Sequence, residues 1–486
     1  MASSFLFYDL ETSGFSAKSH RIMQFAGLRT DMDLKPIGEP FNIFIKMTSE
    51  NLPDVDAVLL TGITPQQTIM DGVTEAEFLR TFTNEIATPG TVFVGYNTIR
   101  FDDEFMRTLH YRNFYDPYEW QWQDQRSKWD MLDVVRMTRA LRPAGIEWPF
   151  DAQGKPTNRL ELLTALNKLD HEHAHDALSD VEATINVARL IMNKQPKLFQ
   201  YLFAMREKKA VAALVESGEP FVYTSGSLAS EFEKTTVVVQ ICPHPDRAGS
   251  AIVYDLRHDP DEWATKTPEE LAEAWRYKKE RDPNDPKLPV KFIQYNHCPA
   301  IATMNVLDAD PETRVRLQLD KAVIQKHATA IKRHKDLADK LCKALEIMES
   351  KRPEQPALLN TEYDVDAAIY DGFFGPSDKP AMSVVRAAAP EELGNLGLKF
   401  KDQRLVALLP LYKARNYPKL LTSEEHEEWE RFRAARLLSG GQHSKLAKYL
   451  ERLQDVVTKG GLTDHQQYLI EELKLYAESV MPEQES

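Results

Sequence analysis

Hydrophobic and polar positions set the outline of the fold before any chemistry is considered. The apolar run Phe5-Leu6-Phe7-Tyr8 passes into the alternation Asp9-Leu10-Glu11-Thr12, a period of two that predicts a strand over 4–11. Similar patterns predict strands at 21–31 and 41–47, joined by turns such as Pro36-Ile37-Gly38, and so a meander at one edge of a mixed sheet. A helix near 74–87, a strand at 91–96 and helices at about 102–111, 128–141 and 158–168 follow. The spacing Val181-Ile185-Ala188-Met192 predicts a helix over 177–193. Residues 1–195 therefore read as one α/β domain.

From 196 to 350 the pattern changes. Strands are predicted at 235–242, 250–256 and 290–296, with a helix over 267–277. Residues 311–349 read as helical and carry Lys321, Lys326, Lys332, Arg333 and Lys335, a stretch best read as a solvated face. Ser350-Lys351-Arg352-Pro353-Glu354-Gln355-Pro356 reads as a linker from its prolines. Residues 357–486 read as an all-helical domain ending in a long amphipathic helix near 463–480. Gly440-Gly441 and Gly460-Gly461 mark helix breaks there. No internal repeat or low-complexity segment is visible.

Composition narrows the class. The chain has 486 residues, with 42% hydrophobic and 28% charged positions, values of a globular protein of several domains. No apolar run approaches the roughly 18 residues that span a bilayer. The opening residues lack a basic stretch followed by an apolar one, so no signal peptide is expected. Cys242, Cys298 and Cys342 show no metal-ligand spacing and make no disulfide framework. A reducing cytoplasm fits.

The candidate chemistry is carried by acids. On a strand Asp9 and Glu11 point to one face. Two adjacent carboxylates repel unless a cation lies between them, and hard oxygen donors suit a divalent ion such as magnesium. Asp102, in Gly95-Tyr96-Asn97-Thr98-Ile99-Arg100-Phe101-Asp102-Asp103-Glu104, falls in the first turn of a predicted helix; Asp102 and Asp103 could equally be ordinary first-turn acids. Asp180, in His175-Asp176-Ala177-Leu178-Ser179-Asp180, lies one turn inside the helix that Asp176 would cap. His171 and Asp176 share the five-residue offset of His175 and Asp180. The role of Asp176 as cap assigns the functional histidine as His175.

The order acid-x-acid, then Asn and Phe-Asp, then His-x-x-x-x-Asp resembles the histidine-bearing branch of the DEDD 3′→5′ exonuclease superfamily. A tyrosine-bearing relative would place Tyr four residues before Asp180, where Asp176 stands. The stretches Leu60-Thr61-Gly62-Ile63-Thr64-Pro65-Gln66, Tyr111-Arg112-Asn113-Phe114-Tyr115-Asp116-Pro117-Tyr118, Ala140-Leu141-Arg142-Pro143, Tyr370-Asp371-Gly372-Phe373-Phe374 and Ala414-Arg415-Asn416-Tyr417-Pro418 narrow the resemblance to the bacterial exonuclease I family. The match is strongest before residue 205 and patchy between 205 and 360. It implies a ribonuclease-H-like nuclease domain at 1–195, a small Src-homology-like (SH3-like) β-barrel with helical insertions at 196–350, and the helical domain at 357–486.

The resemblance also implies an activity: hydrolysis of single-stranded DNA from a free 3′ end to 5′-mononucleotides, in repair and recombination. Asp9, Glu11, Asp102 and Asp180 would hold two Mg²⁺ ions, with Mn²⁺ as a substitute, and His175 would be the general base. Tyr111, Phe114, Tyr115, Tyr118, Trp120, Trp122 and Trp129 crowd one stretch among Arg107, Arg112 and Arg126. Such a mixture suits single strands, although at least half of these rings are expected in the core. By resemblance Glu11, Arg107, Tyr118, Trp122, Arg136 and Arg159 touch DNA, Arg159 near the scissile phosphate, and Leu10 and Thr12 flank the terminal nucleotide. Arg142 and Tyr201 are candidates for binding the acidic, Phe-ending tail of single-stranded DNA-binding protein. The net charge of −14 argues against a broad DNA-coating surface and for binding by stacking and shape. A monomer without membrane attachment is expected. The alternatives are a related nuclease acting on RNA ends or as a polymerase proofreader, and a non-catalytic nucleic-acid-binding protein.

Overall fold

In a computed structural model of the chain, residues 3–169, 176–278, 280, 282, 285–308, 310–350 and 365–482 are described. Contacts divide the chain into two units that do not follow chain order. One comprises Met1–Arg126, Glu172–Glu182 and Pro356–Ser486; the other comprises Ser127–His171 and Ala183–Gln355.

The first unit is built on β1 (Ser4–Thr12), β2 (Ile22–Thr30), β3 (Phe41–Phe44) and β4 (Thr91–Gly95), which lie in the order β3-β2-β1-β4. β1 to β3 form the expected antiparallel meander, and β4 runs parallel to β1, Ser4 opposite Thr91 through Phe7 opposite Val94. The sheet is held by an aromatic core that includes Tyr8, Phe25, Phe78, Phe82, Phe93 and Trp120. The helix expected over 74–87 is Glu75–Thr81 followed by a wider turn, Phe82–Ile86. Short helices Val55–Thr61 and Pro65–Asp71 carry too few turns to give a periodic signal.

The C-terminal helices share cores with this sheet unit. Tyr111 and Phe114 pack with Ile369, Phe374, Leu405, Leu408, Trp429 and Phe432, while Val55 and Val58 pack with Leu446, Tyr449, Leu453, Ile470 and Leu473. The long terminal helix is Asp464–Ser479, opened by the reciprocal cap of Thr463 and Gln466. Gly440, Gly441, Gly460 and Gly461 all have positive φ and separate helices Ser423–Leu438, Lys445–Lys459 and Asp464–Ser479. The proline-rich linker expected at 350–356 lies, beyond Ser350, outside the described residues.

The second unit opens with β5 (Ser127–Asp130), where the sequence pattern suggests the start of a helix; Asp130 then caps helix Met131–Leu141. Its sheet has β6 (Phe221–Thr224), β7 (Thr235–Pro243), β8 (Ser250–Asp255), β9 (Val290–Gln294) and β10 (Ala300–Thr303), in the order β10-β6-β7-β8-β9, with every pair antiparallel. The sequence pattern shows β7, β8 and β9. It misses β6 and β10, which are four residues long and show no clean alternation, because nearly every position is buried. Residues 311–350 form three helices, Pro311–Arg316, Lys321–Arg333 and Leu337–Ser350. Lys326 and Lys332 are exposed and pair at 3.2 Å with Asp259 and Glu219, as a solvated face does. Among the described residues no helix is long and apolar enough to cross a membrane.

Candidate active site

Asp9 and Glu11 lie on the less buried face of β1, while Leu10 and Thr12 are buried on the other. Asp9 follows the last residues that β1 pairs with β4, so it stands where β4 ends and its chain turns away. Gly95 makes that turn possible. A Cβ there would meet the Tyr8 carbonyl oxygen at 2.9 Å and Thr98 Cγ2 at 2.0 Å, so only glycine allows this backbone to press against β1. The turn continues through Asn97 in the left-handed conformation (φ 72°) into helix Asp102–Arg112.

The two acids that open this helix divide their work. Asp103 accepts a 2.8 Å hydrogen bond from the Tyr8 hydroxyl and lies 3.4 Å from Arg107, which ties the helix start to β1. Burial, then Asp103 and Asp102, push the Tyr8 hydroxyl well above its usual value. Asp102 is buried at 4% exposure, and among charged groups it acts most strongly on Asp9. Asp103 is thus engaged by Tyr8 and Arg107, while Asp102 acts on Asp9.

Asp180 comes from helix Ala177–Lys194, at whose start Asp176 accepts from the Ser179 N–H at 3.1 Å, as expected of a cap. Carboxylate oxygens of Asp9, Glu11 and Asp180 all lie within 4.8 Å of one another. Burial raises Asp9 well above the carboxylate range, and Asp102, Asp180 and Asp176 raise it further. Glu11 is pushed up to about 9 by burial, then by Asp9, Asp180 and Asp176. These are like charges held together out of water, and a divalent cation relieves them. The donor set therefore fits a hard divalent metal. The candidate base His175, with His171 and His173, lies outside the described residues.

Of the seven crowded aromatics, Tyr111, Phe114, Trp120 and Trp129 are core. Tyr115 and Tyr118 are half-buried, and Trp122 is 60% exposed. Arg107 is buried, paired with Asp103 and Glu104, and stacked over the Tyr118 ring at 5.8 Å. In the second unit, Arg136 pairs with Asp133 at 2.6 Å, and the exposed Arg159 donates to Glu161 at 2.6 Å. Arg142 there donates to the Val306 carbonyl at 2.9 Å, and Tyr201 is half-buried.

Sequence reasoning used Tyr370 and Phe373 only as marks of resemblance and did not foresee where their rings lie. Phe373 is 83% exposed with its ring 5.5 Å from Tyr118, whereas the next residue, Phe374, is buried and stacked on Tyr111. Tyr370 donates to Glu104, and Lys18 sits 6.0 Å above its ring. A half-exposed ring strip thus runs from Tyr370 to Tyr118 and Phe373, beside the helix that carries Asp102.

An α/β sheet with acids gathered at the ends of neighbouring strands and helices fits the exonuclease class, whose family model matches residues 6–188. Further family models agree: the exonuclease I SH3-like domain matches 206–346, and the exonuclease I C-terminal domain matches 363–480. Exodeoxyribonuclease I of Haemophilus influenzae is 40% identical over 438 residues, 89% of this chain and 90% of that protein. A zinc-bound complex of Escherichia coli exonuclease I with single-stranded DNA superposes with a TM-score of 0.91 at 35% identity, covering 99% of this chain and all of that one. An SSB/exonuclease I structure with the inhibitor CFAM superposes at 0.87, with 34% identity and the same coverage. The chain belongs to the exodeoxyribonuclease I family.

Proposed function

We propose that this protein removes nucleotides from the free 3′ end of single-stranded DNA, releasing 5′-mononucleotides in DNA repair and recombination. The observation that carries the reading is the carboxylate group of Asp9, Glu11 and Asp180, within 4.8 Å of one another, with Asp102 acting on Asp9, in a chain of this family. Asp9, Glu11, Asp102 and Asp180 hold divalent cations, magnesium by choice and manganese as substitute, which when bound supply charge stabilisation for phosphodiester hydrolysis. His175 takes the proton of the attacking water; an imidazole with a pKa near 6.5 suits that role at neutral pH. Arg159 binds near the scissile phosphate.

The exposed rings support a single-stranded substrate. Tyr118, Trp122, Phe373 and Tyr370 offer faces on which unpaired bases stack, and Arg107 and Arg136, each held by carboxylates, offer N–H donors to the strand. Stacking without base-edge readout makes cleavage tolerant of sequence. The family models support domains at 1–195, 196–350 and 357–486. Arg142 and Tyr201 contribute to a site for the acidic tail of single-stranded DNA-binding protein, a reading supported by the SSB-bearing relative. The protein works as a monomer in the cytoplasm.

Digestion of a 5′-labelled single-stranded DNA oligonucleotide with magnesium, beside duplex DNA, single-stranded RNA and the His175→Ala and Asp180→Ala variants, tests the proposal. Stepwise shortening from the 3′ end of single-stranded DNA alone, lost in both variants, is expected. Preferential cutting of RNA would refute the substrate, and unimpaired cutting by His175→Ala would refute the base.

A further inference from the structure

Two of the three cysteines, 100 residues apart in sequence, meet in the second unit, with Cys242 Sγ 3.7 Å from Cys342 Sγ. Both are free thiols and partly exposed, so small oxidants reach them. Cys242 stands near the end of β7, where a bulge between Gln240 and Cys242 places it opposite Ile252. Cys342 is on helix Leu337–Ser350, which packs against β7 and is anchored by buried Leu341, Ala344 and Leu345. Both sulfurs therefore sit on regular elements held by their own cores. Closing to the bonded length of about 2.05 Å needs roughly 1.7 Å of approach between the sulfurs. The third cysteine, Cys298, is buried and its Sγ contacts the Lys128 carbonyl at 3.1 Å.

We propose that Cys242 and Cys342 are an oxidation site, a dithiol that hydrogen peroxide converts reversibly to a disulfide fastening helix Leu337–Ser350 to β7. Burial and then the neighbouring Cys342 sulfur push the Cys242 thiol up to about 12, which disfavours its thiolate. Cys342 attacks the peroxide: an S–O bond forms, the O–O bond breaks, and one water leaves, giving the Cys342 sulfenic acid. Cys242 sulfur then attacks Cys342 sulfur, the S–O bond breaks, and the hydroxyl leaves with the Cys242 proton as a second water. Two thiols are oxidised by two electrons in total, and one peroxide is reduced to two waters. Dithiothreitol restores both thiols by exchange.

The test is hydrogen peroxide treatment of the folded full-length protein, followed by thiol titration after denaturation, peptide mass mapping without reductant, and thermal unfolding. The expected result is a fall from three free thiols to one, a cross-linked peptide pair containing Cys242 and Cys342, and Cys298 unmodified. The unfolding midpoint should rise by several degrees and return to its starting value with dithiothreitol. Cys342→Ser and Cys242→Ser should show neither the cross-link nor the rise. Three retained thiols, a cross-link through Cys298 or between chains, or sulfinic acid at Cys342 without cross-linking would overturn the proposal. If a serine variant fails to fold, the wild-type peptide map alone decides.

Discussion

Around Glu50 and Asp366, arginines close in from several elements of the first unit. Arg415 donates to Glu50 at 2.8 Å and to both oxygens of Asp366 at 2.9 and 2.8 Å, and Arg21 donates to Asp366 at 3.0 Å and Glu50 at 3.3 Å. Arg436 stands 3.5 Å from Asp366, and Glu75 receives Arg112 through two nitrogens. Burial alone would raise Glu50, but Arg415, Arg21 and Arg436 overcome it and hold the carboxyl at about 2. Around Asp9 and Glu11, in the same unit, burial is joined by further carboxylates, and Glu11 rises to about 9. Buried acids are costly in both places. The protein supplies the counter-charge itself where the purpose is to join the sheet to the C-terminal helices. Around Asp9 and Glu11 the leading charges are carboxylates, the pattern that a divalent cation relieves.

The largest expected effect is at the carboxylate cluster. Asp9→Asn or Glu11→Gln should lower the rate on single-stranded DNA by about 10³-fold or more, since several kcal/mol of charge stabilisation are lost at ~1.4 kcal/mol per tenfold. The same changes should raise the melting temperature of the metal-free protein, because a repulsion is removed. A variant that loses activity and stability together would contradict the contrast.

Next in size is Asp366→Asn, which removes a buried charge that Arg415, Arg21 and Arg436 share and should cost about 3–5 kcal/mol in urea unfolding. Substrate cleavage per folded molecule should change little by comparison.

The pH dependences should have opposite signs. Glu50 lies below its unfolded value of about 4.3, so its stabilisation is complete above that pH and is lost as pH falls through about 2. Glu11 lies above it, so the metal-free fold binds the extra proton and its stability falls as pH rises from about 4.3 towards about 9. A divalent ion must displace that proton. Calorimetric titration with magnesium should therefore show proton release and an affinity that climbs with pH over this window, independent of any activity measurement.

The smallest effect is expected outside both clusters. Phe373→Ala should weaken binding of single-stranded DNA by about 1–3 kcal/mol, one stacked base, seen as a higher KM with kcat nearly unchanged. An unchanged KM would remove Phe373 from the substrate path.

The local order of residues fixes much of this protein. The alternation that puts Asp9 and Glu11 on one face, the helix that carries Asp180, the cap at Asp176 and the glycine breaks at 440 and 460 are short-range features, readable because strand and helix periods span only a few positions. Other properties come from the path of the chain in space. Asp103 meets the hydroxyl of Tyr8 across 95 positions, and Arg21 reaches Asp366 across 345 positions. Four-residue strands with nearly every position buried, such as β6 and β10, carry no periodic signal, and two cysteines a hundred residues apart become neighbours only once β7 and helix Leu337–Ser350 are packed. Side-chain spacing along the chain records which face a residue occupies. Which charges, rings or sulfurs meet on that face depends on long-range packing, and there the tertiary structure alone decides.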